Sequence, residues 1–281
     1  MANDLDPSLS DNELAAALLR QAGTLALEMR AHGLTGERKT SISDVVTAAD
    51  KAAEAWLLGQ LRRCRPEDGI LGEEGASHHG SSGRVWVLDP VDGTYNFLSG
   101  SSYWCSALAL VARPASAPGA GTDDDAWLAD AEPLLGAVYQ PQEDSLWLGG
   151  IGVPATRNGV PLPAIDDNPA AQISAGTYIH PGWLSEPRAA GPWTAAALLP
   201  ATLRMFGSGS CDLARVAQGQ LGCWFQHSCP PWDWQPGKAL VHAAGGDTAV
   251  VRVNGLDWCV AGPPTAVREV SAALRSGALP A

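Results

Sequence analysis

The sequence predicts a layered α+β fold, and three observations carry the prediction. Two segments near the N-terminus combine helix caps with apolar residues at helical spacing. Short apolar runs, read as buried strands, fill the middle of the chain. Beyond them helical and strand patterns mix without strict β–α alternation, which argues against a simple doubly wound sheet.

The elements follow in order. Ser10-Asp11-Asn12-Glu13 is a capping box ahead of Leu14, Leu18, Leu19, Leu25 and Leu27, so a helix runs from about Asp11 to Ala31, with Gly33 as its stop. A second covers Thr47 to about Cys64, with Ala52, Ala55, Trp56 and Leu61 as its stripe and Pro66 beyond its end. Val85–Leu88, Trp104–Val111, Leu135–Tyr139 and Ser145–Gly149 read as strands. The Pro/Ala/Gly/Asp-rich stretch between Arg113 and Ala126 reads as a loop joining two of them. Arg157-Asn158-Gly159-Val160 is a tight turn, Ile173–Tyr178 a strand and Ser185–Pro192 a loop. Ser210-Cys211-Asp212 should cap a helix through Ala217. Another is expected from Pro236 to Ala244, stopped by Gly245-Gly246. Val250–Val253 and Trp258–Ala261 are strands, and Thr265–Leu274 is a closing helix.

Composition narrows the function. The chain has 281 residues, enough for one large domain or two small ones. It is 46% hydrophobic and 17% charged, which suits a sizeable core and not a disordered chain. Lys plus Arg number 18 against 30 Asp plus Glu, a formal charge of −12. A chain this acidic is a poor holder of a nucleic-acid backbone, so no nucleic-acid partner is expected. The acidity fits the gathering of divalent cations, and equally plain solubility. No run of about 18 apolar residues occurs, so no membrane partner is expected. The acidic start Met1-Ala2-Asn3-Asp4 lacks a signal peptide's basic region, and a cytoplasmic location is the expectation. Six scattered cysteines without a C-x-x-C pair read as reduced core residues, and most of the eleven tryptophans read as packing.

One string carries the chemistry: Trp86-Val87-Leu88-Asp89-Pro90-Val91-Asp92-Gly93-Thr94-Tyr95-Asn96-Phe97. A buried strand delivers two carboxylates three residues apart, with a proline stiffening the turn between them. Asp89, Asp92 and the Val91 carbonyl then face one cation. Oxygen-only ligation suits magnesium or manganese. A helix starting near Gly93 and Thr94 offers N–H groups to a phosphate. Three further acidic segments fit the same centre, although each taken alone has an ordinary reading. Gly72-Glu73-Glu74-Gly75 at a strand end reads as an acidic turn, and Asp233 after Trp232 as a helix cap. Asp44 reads as a cap near Thr47, and Asp50 as first-turn charge.

Together these segments resemble the inositol monophosphatase family, part of a lithium-sensitive, magnesium-dependent sugar phosphatase superfamily. The shared motifs are D-P-x-D-G-T-x-N-F, G-E-E, D-x-V-T-x-x-D, and W-D followed by Ala244-Gly245-Gly246, spanning Leu14 to about Ala261. The resemblance implies a layered αβαβα sandwich, usually a homodimer. It implies a single domain over 1–281, with a metal- and phosphate-binding half at about 1–150 and a substrate half at 151–281. Glu73, Asp89 and the Val91 carbonyl are then expected to hold a first Mg2+. Asp89, Asp92 and Asp233 hold a second, and Glu73 assists a third through water. Asp50 and Thr94 orient and deprotonate the attacking water. Lys39 sits near the phosphate, and the Gly93 and Thr94 N–H groups bind it.

The resemblance also places Gly207 and Ser208 in the substrate pocket, within Arg204–Ser210. Family inositol enzymes carry glutamate seven residues before the W-D aspartate; this chain has Gln226, which keeps hydrogen bonding and loses the charge. Trp234 is read as packing beneath the pocket, and His227 as incidental to it. The implied activity is hydrolysis of inositol 1-phosphate or a related small polyol or sugar phosphate. Histidinol-phosphate hydrolysis is one alternative, and a non-catalytic binding role, as in some bacterial relatives, is another.

Overall fold

The computed structural model describes residues 4–33, 36–38, 45–114, 126–129 and 131–279. Lys39, Asp44 and most of the loop after Arg113 lie outside them. Helix α1 (Asp11–Ala31) begins at the expected capping box, with Ser10 accepting from the Glu13 N–H and Glu13 reaching back. Strands β1 (Gly36–Arg38) and β2 (Val45–Thr47) pair as a small antiparallel ribbon. Helix α2 (Ala48–Cys64) is capped by Thr47 and Asp50. Then come β3 (Gly69–Gly72), β4 (Ser77–His78), β5 (Arg84–Asp92), the short α3 (Thr94–Leu98) and β6 (Cys105–Ala112). Strands β7 (Glu132–Gln140), β8 (Ser145–Gly150), β9 (Val153–Arg157) and β10 (Val160–Pro161) follow. The β9–β10 turn places Asn158 and Gly159 at positive φ, as a tight hairpin requires.

The second half contains β11 (Ser174–Thr177), α4 (Pro187–Ala197), β12 (Thr202–Arg204), α5 (Gly209–Ala217) and β13 (Cys223–His227). It ends with α6 (Pro231–Ala243), β14 (Asp247–Val253), β15 (Leu256–Gly262) and α7 (Pro264–Ser276).

These elements form five layers. An eight-stranded sheet runs β10-β9-β8-β7-β6-β5-β3-β4, and a five-stranded sheet runs β12-β11-β13-β15-β14. Side-chain alternation along each strand separates the layers. Trp86, Leu88, Leu108 and Leu110 face α1 and α2, where they meet Leu14, Leu18, Leu57 and Leu61. Ala107, Val138 and Trp147 leave the same sheet on its other face and meet Leu213 and Val216 of α5 and Leu240 of α6. Trp224, Cys259 and Ala261 close that middle layer from the second sheet. Their strand neighbours Phe225, Trp258 and Val260 turn outward to Ala189 of α4 and Val270 and Leu274 of α7. The order is αβαβα. The break between sheets falls after Pro161.

Several boundaries differ from expectation. Ser185–Pro192 is not all loop, because α4 starts at Pro187. Proline suits a helix's first turn. Pro192 inside α4 has no N–H for the Arg188 carbonyl, and Asn254 Nδ2 donates to that carbonyl at 3.0 Å instead. Helix α5 is capped by Ser208, two residues before the expected start. Helix α6 begins at Pro231, so Asp233 lies in its first turn rather than ahead of it. All six cysteines are free, five of them buried, and Trp86, Trp104, Trp147, Trp224, Trp234 and Trp258 are fully buried.

Helix α6 approaches β7 closely because Gly136 has no side chain. A Cβ there would collide with the Pro236 carbonyl and lie 2.6 Å from Ala239 Cβ. Gly136→Ala is therefore expected to lower unfolding stability by about 1–3 kcal/mol, the usual cost of overpacking. An unchanged urea midpoint would contradict this close approach.

Candidate active site

The site begins with an irregularity in β5. Residues i and i+3 of a regular strand point to opposite faces. Asp89 pairs with Ala107 and Asp92 with Cys105, so three steps along β5 match two along β6. The extra residue is a β-bulge at Pro90-Val91, and it turns both carboxylates to one side. Proline has no N–H to leave unpaired there, and the Pro90 carbonyl accepts from Ser106 Oγ at 2.6 Å. The expected Asp-Pro turn is thus a bulge within a continuous strand.

Neighbouring elements bring the other acids. Strand β3 pairs parallel to β5, and the Glu73 N–H donates to the Leu88 carbonyl at 3.2 Å, which sets Glu73 beside Asp89. The turn carrying Glu73 hangs on buried Glu54, which accepts from the Glu74 and Ala76 N–H groups at 2.8 and 2.7 Å. Asp233 arrives on the first turn of α6. Carboxylate oxygens of Asp89, Asp92 and Asp233 lie within 4.8 Å of one another. Asp92 is anchored on one oxygen, Oδ2, by Ser208 Oγ at 2.8 Å and the Ser210 N–H at 2.7 Å. Ser208 also accepts from the Cys211 N–H as the α5 cap.

Asp50 lies behind this cluster. It closes the α2 capping box with Thr47. Its Oδ1 is 3.1 Å from Thr94 Oγ1, which is also 3.0 Å from the Val91 carbonyl. The single Thr94 hydroxyl proton thus has two acceptors within reach. Burial is the main cause that raises Asp50, from an ordinary 3.8 to about 6. Burial raises Asp89 well above the ordinary range, reinforced by Glu73, Asp92 and Asp233. It also raises Asp92, against hydrogen bonds from Ser208 and Ser210.

These groups open on a cleft of about 880 Å³. Glu73, Asp89, Val91, Asp92, Gly93, Thr94, Gly207, Ser208, Gln226 and Asp233 all line it; Asp50, expected with them, is not in the lining and meets it through Thr94, and Lys39 lies outside the described residues. No Lys or Arg is among the described residues of the lining. Carboxylates packed this closely fit a bound hard cation, and their all-oxygen donor set suits one. Gly93 and Gly207, both at positive φ, sit against each other: a Cβ on Gly93 would lie 3.1 Å from the Gly207 carbonyl. Trp234 is buried, stacks on Trp224 at 6.1 Å, and is not part of the lining. His227 sits edge-on between Trp183 and Trp258, and burial lowers its pKa.

Sequence reasoning missed Glu54 and Asp212. Asp212 was read only as a helix cap. It lines the cleft, accepts from Tyr103 Oη at 2.6 Å, and is raised to about 7, mainly by burial. Neither residue belongs to a recognisable local motif, and only the packing of distant segments shows them.

The sequence matches the Inositol monophosphatase family over residues 10–121 and 126–273. The chain belongs to that family. A probable inositol 1-monophosphatase of Mycobacterium tuberculosis is 31% identical over 269 residues, covering 90% of this chain and 92% of the relative. A Xylella fastidiosa protein named Nus factor SuhB is 30% identical over 204 residues, 72% of this chain and 68% of that one. The structure of inositol monophosphatase from Anabaena superposes with a TM-score of 0.75 at 24% identity, covering 94% and 95% of the two chains, and shows the shared fold. The inositol monophosphatase family is one of metal-dependent phosphatases, and the Asp89, Asp92 and Asp233 cluster could hold a metal ion. Among the described residues, no helix is long and apolar enough to cross a membrane.

The raised carboxyls set the sign of a pH effect. Without metal the folded state holds protons that the unfolded chain releases. This stabilisation is full below about pH 4 and is lost as pH rises through about 6 at Asp50. A cation competes with those same protons. The rise in Tm given by saturating magnesium is expected to grow by several degrees between about pH 5 and about pH 8. A shift independent of pH in scanning calorimetry would contradict metal binding at these acids.

Proposed function

We propose that the chain is a magnesium-dependent phosphomonoesterase that hydrolyses inositol 1-phosphate or a related small polyol or sugar phosphate by direct attack of water. The observation that carries this reading is the cluster of buried Asp89 and Asp92 with half-buried Asp233, on a cleft lined by Thr94, whose hydroxyl lies 3.1 Å from Asp50. Glu73, Asp89 and the Val91 carbonyl would hold one cation, and Asp89, Asp92 and Asp233 a second, with Glu73 assisting a third. Bound cations neutralise the phosphate, acidify water and stabilise the leaving oxygen. Manganese is the alternative metal.

The chain's own groups do the rest. Thr94 Oγ1 orients the incoming water and passes a proton toward Asp50 Oδ1. A carboxyl near pH 6 is well matched to that task. The Gly93 and Thr94 N–H groups hold the phosphate; Lys39, which the resemblance assigns to the same end, lies outside the described residues. Gly207, Ser208 and Gln226 border the alcohol. Gln226 offers a donor and an acceptor without charge. The acting form is proposed to be a cytoplasmic homodimer. The printed name of the mycobacterial relative supports the inositol 1-phosphate reading. The Nus factor name of another relative supports a second one, a partner-binding role. The intact acidic cluster favours catalysis over that role.

Phosphate release from inositol 1-phosphate, glycerol 2-phosphate, fructose 1,6-bisphosphate, histidinol phosphate and adenosine 3′,5′-bisphosphate, with and without magnesium, tests the proposal. Magnesium-dependent release with a preference for the first two is expected. Silence on the whole panel, with manganese also tried, moves the weight to partner binding. Asp92→Asn and Asp233→Asn are each expected to abolish turnover with an unchanged circular dichroism spectrum. Thr94→Ala is expected to cost about 10²–10⁴-fold in kcat, the usual weight of a positioned proton-transfer group, and Thr94→Ser to restore most of it. An active Asp233→Asn enzyme would remove the metal assignment.

A further inference from the structure

The turn that presents Glu73 is closed at its base and loose at its tip. The Gly72 N–H donates to the Ala76 carbonyl at 2.7 Å, but the Gly75 N–H reaches the Gly72 carbonyl only at 3.4 Å. Glycine stands at both 72 and 75, and Gly75 holds a positive φ. Two outside anchors fix the tip. One is the Leu88 carbonyl of β5, which accepts from the Glu73 N–H at 3.2 Å. The other is the Glu54 carboxylate. Its Oε2 accepts from the Glu74 N–H at 2.8 Å and its Oε1 from the Ala76 N–H at 2.7 Å, so both oxygens are taken up by the turn.

Glu54 stands on a rigid mount. It is 3% exposed within α2, and its neighbours Ala53 and Leu57 are fully buried in the core that includes Leu88. A carboxylate buried this far needs its oxygens satisfied, and the turn satisfies them. Bonds to an ionised acceptor are about twice as strong as those between neutral groups. Gly72 leaves the carboxylate its space, since a Cβ there would collide with Glu54 Oε2. Asp50 lies four residues earlier and is also buried, so one face of one helix carries both carboxylates.

Resting on the metal reading of the site, we propose that Glu54 is a positioning residue for the cation that Glu73 holds. It fixes the Glu73 turn relative to Asp50 and so sets the affinity of that cation, with its own oxygens engaged elsewhere.

The test titrates magnesium alone into the full chain by isothermal titration calorimetry. Wild type, Glu54→Gln, Glu73→Gln and the double variant are compared, with a circular dichroism spectrum for each. Glutamine keeps the shape but sets an amide N–H2 against one of the two backbone N–H groups. Glu54→Gln is expected to weaken magnesium about tenfold or more, the usual weight of a group that orients a ligand. Added to Glu73→Gln, it should cause no further loss in the binding that Asp89, Asp92 and Asp233 retain, as for two residues that act through one group. Wild-type affinity in a folded Glu54→Gln chain overturns the proposal. So does a loss of equal size with and without Glu73, which makes Glu54 a general support of the fold. If Glu54→Gln does not fold, Gly72→Ala decides: it drives the Glu54 carboxylate off the turn and keeps the residue, and unchanged magnesium binding there overturns the proposal. A wild-type chain that binds neither magnesium nor manganese overturns the metal reading itself.

Discussion

One extra residue in β5 governs the site. Without the bulge at Pro90-Val91, Asp89 and Asp92 would point to opposite faces of the eight-stranded sheet, one toward α1 and α2 and one toward α5 and α6. With it, both carboxylates leave the sheet together, and Gly93 is delivered to the junction between the two halves. Other arrangements follow from this one. Glu73 reaches the centre because β3 pairs with the strand that carries the bulge. Asp92 reaches Ser208 and Ser210 because the strand ends where α5 begins.

Gathering like charges in a buried place is unfavourable, and the surroundings are arranged to bear it. Asp92 and Asp50 are fixed by neutral donors, backbone N–H groups and hydroxyls, which hold geometry without cancelling charge. Ser208 and Ser210 hold Asp92, Thr47 holds Asp50, and Glu54 accepts from the N–H groups of the turn that carries Glu73. The remaining repulsion is what a cation relieves.

Local chemistry in the sequence is read most reliably where it is self-contained. The Ser10–Glu13 box fixes the first helix start as expected, because capping depends on neighbours only; the second helix starts within a residue of expectation, but its cap is Thr47 boxed with Asp50, where the sequence reading had Asp44 as cap and Asp50 as first-turn charge. The acidic segments are legible as a group, and Glu73, Asp89, Asp92 and Asp233 do line one cleft. The bulge is not legible, since Asp-Pro-x-Asp reads as a turn until its pairing strand is known. Helix α4 is hidden by Pro187 and Pro192, whose tolerance depends on a donor from Asn254, far along the chain. Asp212 and the exposed Met205 and Phe206 are invisible for a similar reason. Their surroundings come from the segment before β6, from α3 and from the chain after β11.

The contact between Gly93 and Gly207 has a consequence for how such a site can diverge. Both residues hold backbone conformations that side chains resist, and each lies where an added carbon would press on a neighbour across the junction. The nearby Tyr95 and adjacent Phe206 are exposed and hold no such backbone conformation. Sterically locked backbone and open side chains are thus interleaved on the same two short segments. Side chains at 95, 205 and 206 can change singly while the backbone at 93 and 207 stays locked, so changes at the cleft mouth do not require rebuilding the carboxylate centre.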